Sequence, residues 1–101
     1  MSDEDFISYV GDYRIHDSKI LDVISGDKTL QVSLKTEMDE VITVKFLNTV
    51  SVDSCKPIGM FLYAIAEMKA EGSFRKFVFI NWNEEDDAYL EVISSDLKIL
   101  E

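Results

Sequence analysis

The stretch KTLQVSLKTE, residues 28–37, sets Leu30, Val32 and Leu34 against Gln31, Ser33 and Lys35. A repeat of two places alternate side chains on opposite faces of an extended backbone, whereas a helix would scatter the three apolar residues around its circumference. The segment is therefore expected to form a strand with one buried face, and such a strand needs both neighbours and a covering layer. EVITVKFLNTV repeats the pattern with Ile42, Val44 and Phe46, less cleanly at Val41. The polar TEMDE between the two fits a hairpin loop. Before them, SKILDVISGDKT reads as a strand closed by Ser25-Gly26-Asp27-Lys28, residue types suited to a tight turn. Three consecutive antiparallel strands are expected.

Further along, FRKFVFINW and AYLEVISSDLKIL read as another pair joined by NEEDD, with Phe74, Phe77 and Phe79 in core and hairpin packing. Residues 57–72, PIGMFLYAIAEMKAEG, support two readings. Ile58, Phe61, Leu62, Ile65 and Met68 match a helical period. Phe61, Tyr63 and Ile65 also alternate with Ala64 and Ala66, and AEGS turns directly into the next strand. The short connection favours strand, with Pro57-Ile58-Gly59 as the bend between two three-stranded units. At the N-terminus, Ser2 and Asp5 resemble a capping box, Asp3 and Glu4 suit the positive end of a helix, and Gly11 stops it. A short helix is expected over residues 3–10. The predicted fold is mainly β: this helix plus about six antiparallel strands in a barrel-like or two-layer sheet, over one domain spanning residues 1–101. The alternative is an α+β domain with residues 58–70 helical. Connections of two to six residues are too short for the crossovers of a parallel sheet.

Twenty acidic residues against ten basic ones give a net charge of −10, which repels phosphate backbones and argues against nucleic acid. The same charge speeds encounter with a basic protein partner. The longest apolar run stops at Glu67 after ten residues, short of the ~18 needed to cross a membrane as a helix. An acidic MSDED start, in place of a basic leader, and a lone Cys55 fit a reducing, cytoplasmic setting.

Two stretches carry candidate chemistry. His16-Asp17-Ser18 joins the single histidine to an acid and a hydroxyl. In an extended backbone His16 and Asp17 point to opposite faces, so the three residues are expected to shape the start of the first strand, with Asp17 or Ser18 bonding nearby backbone amides and His16 partly exposed, rather than form a triad. One histidine and one cysteine fall short of a zinc set, and no metal or cofactor is expected. The second stretch, NWNEEDDAY, carries four contiguous carboxylates, Glu84, Glu85, Asp86 and Asp87, beside Trp82. A calcium loop alternates its ligands around a glycine, whereas contiguous acids splay outward into solvent. These residues are the expected docking surface for a basic partner, with Trp82 as aromatic anchor. No catalytic residues are assigned.

At IHDSKILDV, followed by LQVSLKT, ITVKFLNTVSV and FVFINWNEEDDAYLEVISSDLKI, the chain resembles a group of small, mostly uncharacterised bacterial domains. These open with His-Asp-Ser or His-Asp-Gly just before a first strand and continue as a sheet meander. Some similar chains are grouped with immunity proteins of polymorphic toxin systems. The resemblance covers most of residues 14–99, excludes the N-terminal helix, and implies a non-catalytic domain without supplying site residues. The resulting expectation is a non-enzymatic acidic module, immunity-type or regulatory, that docks on a basic protein such as a nuclease-like toxin. The competing expectation is a small-ligand binder or enzyme using a pocket near His16. A third is a homodimer formed through an edge strand, with VISSDLKIL as the candidate edge.

Overall fold

The computed structural model describes residues 6–11 and 13–100. Nine strands and no helix occur among them: β1 (Phe6–Tyr9), β2 (Lys19–Ser25), β3 (Thr29–Lys35), β4 (Val41–Leu47), β5 (Ser51–Cys55), β6 (Leu62–Met68), β7 (Arg75–Asn81), β8 (Tyr89–Ser94) and β9 (Asp96–Leu100). All pairings are antiparallel. They build a five-stranded sheet in the order β1-β6-β7-β8-β5 and a four-stranded sheet in the order β2-β3-β4-β9. The mainly β expectation therefore holds. The two sheets meet at one corner, where an isolated bridge pairs Lys19 with Phe61, but they do not close, so the fold is two layers and not a barrel. No helix among the described residues is long and apolar enough to cross a membrane.

Three expectations are corrected. The helix over residues 3–10 is replaced at residues 6–9 by β1, which pairs with β6; Ser2, Asp3, Glu4 and Asp5 lie outside the described residues. Phe, Ile and Tyr favour a pleated backbone, and the edge of β6 supplies a ladder that a helix would forgo. The helical alternative for residues 58–70 also fails, since Leu62–Met68 is a strand between β1 and β7. Finally, the expected six strands become nine, because β1 and β5 are added and the C-terminal strand divides into β8 and β9.

The alternation read in the sequence becomes the core. β3 and β4 pair without a register shift, setting Leu30 opposite Phe46, Val32 opposite Val44 and Leu34 opposite Ile42. In the other sheet Ile65, Phe79 and Leu90 share one row, and Phe77 faces Val92. All of these are buried. The rows meet at Phe46, whose ring centroid lies 5.3 Å from that of Phe77 and 5.9 Å from that of Phe79. β6 begins beside β2, where Leu62 N donates to Ser18 O at 2.8 Å, and ends near β9, where Glu67 shares Arg75 with Asp96. Because β2 and β9 are opposite edges of their sheet, β6 runs across its full width, and the two layers cross.

The TEMDE loop closes β3 onto β4 through one side chain. Thr36 is buried, and its hydroxyl accepts from Met38 N at 3.2 Å and Glu40 N at 3.1 Å. Thr36→Val keeps the shape and orphans both amides, so it is expected to cost about 1–2 kcal/mol. Chemical denaturation measures this, and Thr36→Ser should recover most of the loss.

Candidate functional site

The chain approaches β2 through a turn over residues 13–17. Asp17 occupies the left-handed region at φ 66°, a conformation that Asp tolerates better than most residues. This overturns the extended reading of His16-Asp17-Ser18. The reversal at Asp17 brings its Oδ2 to 3.6 Å from His16 Nε2 and sends Ser18 inward. Ser18 is fully buried, and its hydroxyl donates to the Ile15 carbonyl at 2.6 Å, so it bonds a carbonyl and not an amide. That hydroxyl closes the turn and does not face His16.

Trp82 follows the end of β7, where its backbone N–H donates to Phe61 O at 3.0 Å. Its indole N–H donates to Asp17 Oδ1, which joins the two stretches singled out in the sequence. His16 Nδ1 lies 2.8 Å from the Tyr63 carbonyl, and since a carbonyl only accepts, Nδ1 carries the proton. Three rings then meet edge to face or tilted: His16 and Tyr63 at 5.3 Å, His16 and Trp82 at 5.5 Å, Tyr63 and Trp82 at 5.5 Å. Tyr63 is 42% exposed and Trp82 48%. The cluster is therefore held by bonds at its edges while its ring surfaces stay open to solvent.

The acidic loop is more ordered than outward-splaying carboxylates would be. Asp86 Oδ1 accepts from Ala88 N at 3.2 Å and Oδ2 from Asn81 Nδ2 at 3.2 Å. The Asn81 amide, followed by the Ala88 amide, lowers the Asp86 pKa from its ordinary value. Asn81 Oδ1 and Asn83 Oδ1 accept from the backbone amides of Asn83 and Glu85 at 2.9 and 3.0 Å, fixing the turn in successive steps. Glu84, Glu85 and Asp87 remain exposed. Thus Asp86 belongs to the scaffold of the loop, and the other three form its charged rim. No group of three His, Cys, Asp or Glu side chains among the described residues is placed to hold a metal ion.

Three open depressions border the rings, one of them lined by Tyr63, Ile80, Asn81, Trp82 and Glu84, and the other two bear on the candidate chemistry. One, of about 500 Å³, is lined by Asp17, Met60, Phe61, Asn81, Trp82 and Asp86, among others. The other, of about 290 Å³, runs past Tyr9, Tyr13, Ile15, His16 and Tyr63, and its lining is mainly aromatic and aliphatic instead of a set of convergent polar groups. Phe61 and Tyr63 were expected to alternate inward with Ile65. A register shift between Leu62 and Ala64 reverses the phase, so Leu62 and Ile65 are buried while Phe61 and Tyr63 face out. Nothing in a two-residue period foretells such a bulge. Chemically, the face offers aromatic surfaces and carboxylates: partners for cations and planar groups, with no hydroxyl or thiol among the described residues bonded to the imidazole. Comparison of the chain with known protein families, curated proteins and solved structures found no match.

Proposed function

We propose that the chain is a non-enzymatic protein-binding domain, immunity-type or regulatory, acting in the cytoplasm by docking an acidic, aromatic face on a basic protein. One observation carries this reading. His16 and Asp17 from the first turn meet Trp82 from the end of β7, and the exposed carboxylates Glu84, Glu85 and Asp87 follow Trp82 directly in the next loop. A fixed tryptophan provides a rigid anchor with little entropy to lose on binding. The carboxylates, backed by the net charge of −10, accelerate encounter with a positive surface.

Affinity capture from the native host, with wild-type bait beside a Glu84→Lys/Glu85→Lys/Asp87→Lys bait, tests the assignment. A basic protein retained by the first bait and lost by the second is the expected result. Its association rate with the wild type should fall about tenfold or more from low to high ionic strength. Unchanged prey would remove the docking face, and a salt-independent rate would remove the steering.

A further inference from the structure

Resting on that docking reading, we infer that the depression between Phe61 and Trp82 receives a single arginine side chain from the partner. Its lining pairs aromatic surface with two carboxylates, Asp17 and Asp86. Each carboxylate oxygen has two acceptor directions, so the bonds to Trp82, Asn81 and Ala88 leave acceptor capacity for an incoming donor. The indole is pinned at its N–H and 48% exposed, which presents a fixed π surface without a rotamer search.

The same protein already holds a guanidinium in this chemical setting. Arg75 sits 5.1 Å from the Phe77 ring centroid while Nε and Nη2 reach the two oxygens of Glu67 at 3.0 and 2.7 Å. The depression repeats the aromatic and carboxylate parts of that arrangement and supplies no cation of its own. The Lys19 ammonium lies over Phe61 at 5.7 Å but is not part of the lining, so the Trp82 indole is the platform left for a cation from outside. A planar guanidinium stacks on that surface and forks to carboxylates at its edge, whereas an ammonium offers only a compact charge.

Trp82 is the only tryptophan, so its indole N–H resonance reports the site directly. The wild-type protein is titrated with N-acetyl-arginine amide, N-acetyl-lysine amide and N-acetyl-norleucine amide. Arginine should move the resonance saturably, with a dissociation constant on the order of 10 mM. Lysine should bind several-fold more weakly, and norleucine should leave the resonance in place. Asp86→Asn, which keeps an oxygen for the Ala88 amide, should weaken the arginine response several-fold. No saturable shift with arginine, or an equal shift with norleucine, overturns the assignment. The two proposals fail separately. Charge reversal that abolishes capture while arginine leaves the indole unmoved would preserve the docking face and remove the arginine pocket. Saturable arginine binding with unchanged capture would do the reverse.

Discussion

Phe46→Ala is expected to remove about 3–5 kcal/mol of stability, a large share of the ~5–15 kcal/mol that a domain of this size commands. The side chain is fully buried on β4, opposite Leu30 of β3 on one side and Leu97 of β9 on the other. Its ring also meets Phe77 and Phe79 across the layers. Truncation therefore opens a cavity between the two sheets, and the cost grows with the volume that the neighbours fail to fill. Phe46→Leu fills part of that volume and should cost less than half as much. Phe74→Ala is the control, because that ring is 38% exposed on the connection before β7 and should cost about 1 kcal/mol or less. Urea midpoints at constant m-value measure all three. Equal losses at positions 46 and 74 would mean that the layers do not depend on this contact.

How much of this was legible depends on what holds each strand. β2, β3, β4 and β7 carry alternating buried residues or firm turn signals, and the sequence marks each of them. β5, with sequence SVDSC, is almost wholly exposed, so no apolar period marks it. Backbone pairing to β8 and the bond from Tyr89 Oη to Asp53 Oδ1 at 2.9 Å hold it instead. β1 is exposed along its whole length and is kept by the edge of β6. The break between β8 and β9 left a faint trace. Leu90, Val92 and Ser94 point inward, but Leu97 and Ile99 continue in the opposite phase. Ser95 marks the slip, with its N–H donating to Leu47 O at 3.1 Å and its hydroxyl accepting from Asn48 Nδ2 at 3.0 Å.

The face that unites His16 with Trp82 was readable only in pieces. Asp17 and Trp82, 65 positions apart, are joined by one side-chain bond, and that bond requires a left-handed Asp17, a bulge in β6 and the exit direction of β7 together. Local pattern sets none of these three. Residue chemistry identified both ends of the face, while tertiary packing decided that they belong to the same surface.

Arg75→Met is expected to cost about 2 kcal/mol at neutral pH, and its pH dependence should separate electrostatics from packing. Glu67 faces the interlayer side of β6, and its side chain is only 12% exposed. The Arg75 fork spans both its oxygens, and Arg75 Nη1 also donates to Asp96 Oδ1 at 2.8 Å. The hydrogen bond from Arg75, more than its charge, holds the Glu67 pKa below the ordinary 4.5 against the opposing effect of burial. A depressed folded-state pKa contributes stability that is present above 4.5 and lost as pH falls through the lower folded value. Methionine keeps most of the arginine stem's apolar packing but removes the cation, leaving burial and Asp96 to push the Glu67 pKa upward. The sign then reverses: the unpaired carboxylate destabilises the variant at neutral pH, and protonation relieves that cost on acidification. Arginine at this site is 36% exposed, which places the expected loss below the ~3–5 kcal/mol of a fully buried pair. Denaturation curves for wild type and variant should therefore stand apart at pH 7 and converge below about pH 4.5. A gap independent of pH would assign the loss to packing of the arginine stem against Phe77. Glu67→Gln/Arg75→Met, which removes both charges, should recover part of the neutral-pH loss, since no buried carboxylate is left without its partner.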